Sequence, residues 1–123
     1  MPKILIVDDE PNILKLYSKE LEEEGYEVEA VSCAEEALKV AQKEEIDLVI
    51  LDIKMGEEDG LMTLSELKRI KKGLPVILNS AYSIYKSNFQ SWLADSYLIK
   101  SSNLSELKNK IEDLIKVRRI NRI

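Results

Sequence analysis

Five short segments with strand-like patterns alternate along the chain with segments whose apolar residues recur at helical spacing, and this alternation is what most limits the fold. The strand-like segments are Lys3–Val7, Glu27–Val31, Asp47–Leu51, Val76–Leu78 and Tyr97–Ile99. Strand and helix patterns that alternate in this way predict a parallel sheet with right-handed crossovers and helices on both faces. The predicted fold class is therefore α/β, a three-layer (βα)5 doubly wound parallel sheet.

The helical segments have recognisable starts and stops. Pro11 stands where the first turn of a helix accepts proline, and Gly25 ends the segment that follows it. The third helix stops at Gly73, and Asn103 caps the start of the last one. The segment Tyr82–Leu93 is rich in serine and aromatic residues and predicts only a weak or frayed fourth helix.

The composition excludes several classes of site. The 123 residues have the length of one domain, contain no histidine and contain a single cysteine, Cys33. Without histidine there is no histidine general base, histidine metal ligand or Ser-His-Asp triad. One cysteine allows neither an intrachain disulfide nor a cysteine zinc site. The four glycines are scattered and form neither a phosphate-binding loop nor a dinucleotide-binding motif.

Charge divides the chain into an acidic body and a basic end. Residues 1–115 contain 14 basic and 23 acidic residues, a net charge of −9, whereas residues 116–123 contain four basic residues and no acidic ones. An acidic body repels nucleic acid and favours cations or basic partner surfaces. We predict a domain over 1–115 that binds no nucleic acid, and a basic extension of the last helix over 116–123.

The apolar runs are too short to cross a membrane, and no signal peptide is visible before Lys3. A single cysteine agrees with a reducing compartment. We therefore expect no membrane association and a cytoplasmic location.

Polar residues follow the predicted strands at their carboxyl ends, where ligands bind in open α/β sheets. These residues are Asp8, Asp9, Asp52, Ser80 and Lys100. Three neighbouring carboxylates repel one another, a divalent cation relieves that repulsion, and an all-oxygen site suits Mg²⁺. A carboxylate beside Mg²⁺ and a lysine can act as a nucleophile toward phosphorus. The residues thus predict a magnesium-dependent phosphoryl site at one edge of the sheet.

In this order and spacing, the segments resemble the receiver domain of two-component response regulators. The resemblance extends to about Ile115 and rests on Ile4–Pro11, Leu48–Asp52, Asp59-Gly60, Ser80–Tyr82 and Tyr97–Lys100. It implies the flavodoxin-like receiver fold, with strand order 2-1-3-4-5.

The resemblance also implies a role for each site residue. Asp52 would be the phosphoacceptor, supplied by a sensor histidine kinase or a histidine phosphotransfer protein. Lys100 would pair with the phosphoryl group, Ser80 would swing to hydrogen-bond one of its oxygens, and Tyr97 would change its burial in response. The ligands of Mg²⁺ would be Asp8, Asp9, Asp52 and the backbone carbonyl of Lys54.

The implied function is a phosphorylation-controlled signalling switch whose output is protein–protein interaction. The output face would be the fourth helix, fifth strand and fifth helix, which could bind an unknown downstream protein or form a homodimer.

Each site residue also has a plain structural explanation. Asp8-Asp9 could cap the first helix, Lys100 could be solvated at a strand end, and Ser80 could be a turn residue. Tyr97 could be packing in a half-buried strand. A cap accounts for one acid but not for a pair facing a third, so the combination favours a functional site.

Some positions depart from the family pattern and favour an alternative function. Ser101 follows Lys100 where proline is usual, often after a cis bond, and we expect a trans bond there because cis bonds without proline are costly. The loop after Asp52 has Gly56 and lacks the usual proline, and Leu93 stands where glycine is common. The alternative is a degenerate receiver that binds a partner without phosphorylation.

An aspartate-nucleophile phosphatase is a third class of function. Such enzymes usually carry an acid two residues after the nucleophile, where this chain has Lys54. We therefore expect no enzyme activity beyond self-phosphorylation and slow autodephosphorylation. Lys54 could be solvated, or it could reach the phosphoryl group and hinder water, and the second case would slow autodephosphorylation.

Overall fold

The computed structural model describes residues 1–55, 58–81, 94–101 and 103–121. In chain order its elements are β1 (Lys3–Val7), α1 (Pro11–Glu23), β2 (Glu27–Val31), α2 (Ala34–Lys43), β3 (Leu48–Leu51), β4 (Lys54–Met55), β5 (Glu58–Asp59), α3 (Gly60–Ile70), β6 (Val76–Ser80), β7 (Ser96–Ile99) and α4 (Ser105–Asn121). The weak helix predicted over Tyr82–Leu93 lies outside the described residues.

Five parallel strands form the main sheet, in the order β2-β1-β3-β6-β7. Counted within this sheet alone, the order is 2-1-3-4-5, so the predicted fold class and strand order are confirmed. The chain reverses its direction of winding between β1 and β3, which pair over Ile4–Val7 and Leu48–Leu51. Ligands bind beyond the carboxyl ends of strands at such a switch point. The remaining pair, β4 and β5, is a short antiparallel hairpin.

Alternate residues of the strands pack into two separate cores, one on each face of the sheet. On one face, Leu5 and Val7 of β1 pack with residues of α2 and α3. On the other face, Ile4 and Ile6 pack with residues of α1 and α4. All four of these β1 side chains are at most 1% exposed. Burying each one contributes about 1.5–3 kcal/mol, so the two cores hold the three layers together.

The ends of the described helices follow the predicted signals. Pro11 is the first residue of α1, and Gly25 ends that helix with a φ of 95°, a conformation that glycine adopts without steric cost. At the start of α4, the Asn103 side-chain oxygen accepts a hydrogen bond of 2.9 Å from the Ser105 N–H. Strand β6 is longer than predicted, because Ser80 pairs with Ile99 and belongs to the strand.

Helix α4 continues past residue 115 into the basic end and reaches Asn121. The Arg118 guanidinium donates hydrogen bonds of 3.1 and 2.9 Å to the carbonyl oxygens of Ile46 and Asp47, just before β3. These bonds hold the last turns of α4 against the edge of the sheet opposite the strand ends that carry the polar residues. Within the described part of the chain, no helix has the length and apolar character needed to span a membrane.

Candidate functional site

Asp8 and Asp52 lie side by side because β1 and β3 are paired and end at the same edge. The Asp52 N–H donates to the carbonyl of Val7 at 3.0 Å, and the Asp8 N–H donates to the carbonyl of Val31 at 3.2 Å. Both residues are nearly inaccessible, with 2% of Asp8 and 5% of Asp52 exposed. Two buried carboxylates at neighbouring strand ends require a cation, since an unpaired buried charge is costly.

Lys100, which follows the edge strand β7, supplies that cation. Its N–H donates to the carbonyl of Ser80 at 2.7 Å, which continues the pairing of β6 and β7 by one residue. Its ammonium nitrogen lies 2.8 Å from an oxygen of Asp8 and 3.3 Å from an oxygen of Asp52. The same nitrogen lies 3.3 Å from an oxygen of Glu10. One ammonium group therefore contacts three carboxylates.

The pKa of Lys100 is governed by two opposing effects. Burial of the side chain lowers this pKa, but the hydrogen bond to Asp8 and the charges of Asp8, Asp52 and Glu10 raise it by more. The net result is a pKa well above the ordinary value of 10.5. Lys100 is thus a permanent positive charge inside the site at physiological pH.

Three consecutive acids bring their carboxylate oxygens together at the entrance to the site. The ligand oxygens of Asp8, Asp9 and Glu10 lie within 4.8 Å of one another, and Asp9 and Glu10 are exposed. Oxygen donors of this kind suit a hard cation such as Mg²⁺, which keeps several water ligands. This group includes Glu10, for which the sequence predicted no role, and it does not include Asp52.

Glu10 has an unusual place for a helix-capping residue. It is the N-cap of α1, yet its side chain makes no capping hydrogen bond. Its N–H instead donates to a carboxylate oxygen of Asp8 at 3.0 Å, and its own carboxylate contacts Lys100. The sequence signal was present, since a third acid follows Asp8-Asp9, but its contact with Lys100 depends on the tertiary structure.

The other predicted site residues lie around this centre. Ser80 is completely buried at the end of β6, and Tyr97 is half-buried and packs against the core on the α2 and α3 side. Lys54 is the first residue of β4, two positions after Asp52. No cis peptide bond occurs among the described residues, so the Lys100–Ser101 bond is trans, as predicted. The loop glycine Gly56 and Leu93 lie outside the described residues.

Asp59 and Gly60 form the start of α3, which lies against the backbone of Asp52 and Ile53. The Asp59 side chain caps α3 by accepting a 2.9 Å hydrogen bond from the Leu61 N–H. Gly60 lies so close to the chain after β3 that a Cβ there would sit 2.5 Å from the Ile53 Cα and would also overlap the carbonyl oxygen of Asp52. Glycine is required at this position because α3 begins against the backbone of Asp52.

A buried polar pair beneath the site was missed by the sequence-based prediction. The Asn79 side-chain N–H donates a 2.8 Å hydrogen bond to the hydroxyl of Tyr17 on α1. Tyr17 is 1% exposed and Asn79 is 3% exposed. The signal was an amide next to the apolar run of β6 and a hydroxyl on the apolar face of α1, each of which needs a partner when buried.

Comparison with known proteins agrees with this geometry. The family model described as the response regulator receiver domain matches residues 4–112. The solved structure of the response regulator TrrA from Thermotoga maritima with Mg²⁺ and BeF is 49% identical in sequence and has a TM-score of 0.90. The match covers 93% of this chain and 99% of that one. A solved complex of the histidine kinase ThkA with TrrA matches with a TM-score of 0.87 and 49% identity, over 93% of this chain and 98% of that chain.

A curated relative is the alkaline phosphatase synthesis transcriptional regulatory protein PhoP of Bacillus subtilis. It is 33% identical over 119 residues, which cover 93% of this chain and 48% of PhoP. The chain therefore spans about half the length of that relative.

Proposed function

Because the chain belongs to the response regulator receiver domain family, as its motifs predicted, we propose that it is a signalling switch that accepts a phosphoryl group on Asp52. The observation that carries the proposal is the ammonium of Lys100, 3.3 Å from Asp52 and 2.8 Å from Asp8, in a largely buried site at the switch point of the sheet. A nucleophilic carboxylate, a fixed positive charge and oxygen donors for a cation are the groups that phosphoryl transfer to a carboxylate needs.

The proposed donor is a phosphohistidine of a sensor histidine kinase or of a histidine phosphotransfer protein. A carboxylate oxygen of Asp52 forms a bond to phosphorus while the P–N bond of the phosphohistidine breaks. The departing imidazole nitrogen keeps the electron pair and takes up a proton from water. Lys100 offsets the charge on the phosphoryl oxygens, and its position is fixed beforehand by Asp8 and by the backbone of Ser80. The solved complex of TrrA with ThkA supports this class of donor.

The residues fit Mg²⁺ as the resident cation, and Asp8, Asp9, Asp52 and the backbone carbonyl of Lys54 would hold it. When bound, Mg²⁺ neutralises charge on the phosphoryl group that is being transferred. Two carboxylates of the proposed set, Asp8 and Asp9, lie within 4.8 Å of each other, which is consistent with a shared cation. The solved structure of TrrA with Mg²⁺ and BeF supports this assignment.

The proposed response begins at Ser80 and Tyr97. The Ser80 hydroxyl would turn to a phosphoryl oxygen, and Tyr97, which is half-buried, would change its burial. The output would be protein–protein interaction with a downstream protein or between two copies of the chain. A homodimer would form through the helix predicted over Tyr82–Leu93 together with β7 and α4. We place this function in the cytoplasm and assign no nucleic-acid binding to the domain, which carries a net charge of −9 over residues 1–115.

Mass spectrometry after treatment with acetyl phosphate and Mg²⁺ tests the acceptor. The wild-type chain is expected to gain about 80 Da, the mass of one phosphoryl group, and Asp52→Ala is expected to gain nothing. Asp113→Ala, which removes an exposed aspartate on α4, is the matched control and should be modified like the wild type. An adduct of equal size on Asp52→Ala would contradict the proposal.

The alternative function, a degenerate receiver that binds a partner without phosphorylation, is favoured by Ser101 and its trans bond to Lys100. Beryllofluoride with Mg²⁺ separates the two functions. The fluorescence of Trp92, the single tryptophan, should change in a phosphorylation-controlled switch and should stay constant in a degenerate module.

We also propose that the chain is not a multiple-turnover enzyme. Lys54 stands two residues after Asp52, where phosphatases that use an aspartate nucleophile usually carry an acid. Purified protein is expected to release no more than trace phosphate from a generic phosphomonoester. Steady turnover that depends on Asp52 would contradict this.

A further inference from the structure

Tyr17 and Asn79 form a buried hydrogen bond between α1 and β6 that packing alone does not require. The Asn79 amide donates to the Tyr17 hydroxyl at 2.8 Å, and at most 3% of either residue is exposed. Tyr17 belongs to the core that also contains the apolar residues Leu21, Ile77 and Leu98. Two apolar side chains of similar size could fill the same space without the cost of removing polar groups from water. The polar pair is a directional contact between α1 and β6.

The bond lies directly beside the residues that would handle the phosphoryl group. Asn79 immediately precedes Ser80, and the carbonyl of Ser80 accepts the Lys100 N–H at 2.7 Å. The Tyr17 hydroxyl is close enough to Asp8, Asp52 and Lys100 for their charges to affect its pKa. The Tyr17–Asn79 bond therefore connects α1 to the end of β6 underneath the charged groups of the site.

The same two residues line a cavity next to this end of β6. The cavity has a volume of about 260 Å³ and lies between the ends of β6 and β7 and the start of α4, where Leu98, Ser101 and Leu104 contribute to its wall. Side chains that line a cavity have fewer van der Waals contacts on that side. The directional hydrogen bond between Tyr17 and Asn79 fixes the position of these two side chains relative to each other.

We propose that Tyr17 and Asn79 are positioning residues for the phosphoryl site. Their hydrogen bond holds the end of β6 at a fixed distance from α1, and this places Ser80 and the backbone of Lys100 relative to Asp52. The inference rests on the function proposed above for its consequence in phosphoryl transfer, but the restraint itself exists in the resting protein and can be measured there.

Three variants separate positioning from plain stability. Tyr17→Phe removes the hydroxyl and leaves the Asn79 amide without its acceptor. Tyr17→Phe combined with Asn79→Leu replaces the polar pair by an apolar one that packs without unsatisfied groups. Ile46→Val, a core substitution at the opposite edge of the sheet, is the control for loss of stability without a change at the site.

The first measurement is the hydrogen exchange rate of the Lys100 amide in the resting protein, followed by NMR. The Lys100 amide is expected to exchange about five times faster in Tyr17→Phe than in Ile46→Val. A factor of this size corresponds to the loss of one hydrogen bond. The double variant is expected to regain the wild-type denaturation midpoint but not the slow exchange at Lys100. Exchange at Lys100 that matches Ile46→Val, or that returns to the wild-type rate in the double variant, would overturn the proposal.

The second measurement is the rate of phosphorylation by acetyl phosphate with Mg²⁺. Both Tyr17 variants are expected to be slower than wild type by a similar factor, about fivefold, although only one of them is less stable. Equal rates in wild type and double variant would contradict positioning. If the wild type itself is not phosphorylated, the proposed function fails, whereas the exchange measurement still decides whether the Tyr17–Asn79 bond positions β6.

Discussion

The ammonium nitrogen of Lys100 lies 2.8 Å from a carboxylate oxygen of Asp8, although β3 and β6 separate the two strands that these residues follow. The lysine side chain therefore extends along the edge of the sheet, past the end of β6, and contacts Asp52 on the way. A single charge joins the ends of β1, β3 and β7. The consequences can be tested by removing this charge, the contacts beneath it, or the groups around it.

Replacing Lys100 by methionine keeps most of the side-chain volume and removes the ammonium. Asp8 and Asp52 then remain as two buried carboxylates without their cation, and the free energy of unfolding at neutral pH should fall by about 2 kcal/mol. Chemical denaturation measures the loss. Lys43→Met, which removes an exposed lysine on α2, should change stability far less, and equal losses would show that the Lys100 contacts contribute little.

The Lys100 contribution should also depend on pH in one direction. Because folding raises the pKa of Lys100 above 10.5, its stabilising effect is complete below pH 10.5 and is lost as the pH rises through the higher folded-state value. The difference in unfolding free energy between wild type and Lys100→Met should be constant from neutral pH to mildly alkaline pH and should shrink above pH 10.5. A difference that shrinks toward acid within the neutral range would contradict this.

Gly60→Ala should disturb the backbone that carries Asp52. The added Cβ would sit 2.6 Å from the carbonyl oxygen of Ile53, so α3 or the segment after β3 must move. Overpacking of this kind costs about 1–3 kcal/mol, and thermal denaturation measures it. Gly73→Ala is the matched control, since nothing lies within 4 Å of a Cβ at that position, and it should be close to neutral. Asp52 should also be phosphorylated more slowly in the Gly60 variant than in the Gly73 variant.

Tyr17 should ionise at a higher pH than an ordinary tyrosine. Burial raises the pKa of its hydroxyl above 10.0, the charges of Asp8 and Asp52 add to this, and the bond from Asn79 and the charge of Lys100 partly oppose it. An ultraviolet titration of tyrosinate should therefore contain a component on the alkaline side of 10.0, and Tyr17→Phe should remove that component. If Tyr17→Phe instead removes a component that titrates at the ordinary tyrosine pKa of 10.0, the burial argument is wrong.

Lys54→Ala tests the predicted slow autodephosphorylation. If the lysine hinders water at the phosphoryl group, the alanine variant should lose its phosphoryl group faster than the wild type does. The measurement is the decay of phosphorylated protein after removal of the donor. An unchanged half-life would count against a role for Lys54.

The sequence by itself determined the fold and the edge at which the site lies. The alternation of strand and helix patterns requires a parallel sheet, and parallel strands bring their carboxyl ends to one edge. Asp8, Asp52 and Lys100 could therefore be assigned to one place from their positions after β1, β3 and β7 alone. Gly25 could likewise be assigned to the end of α1, because glycine is the residue that adopts a positive φ without strain.

Only the tertiary structure decided which of these groups touch. Three contacts depend on residues from different elements. Lys100 contacts Glu10, Asn79 donates a hydrogen bond to Tyr17, and the backbone of Asp52 and Ile53 leaves no room for a side chain at Gly60. Periodicity along the chain determines which face a residue occupies, but not the distance across the sheet or the direction of a long side chain. Those depend on how the layers pack, and the packing is settled by the two cores together.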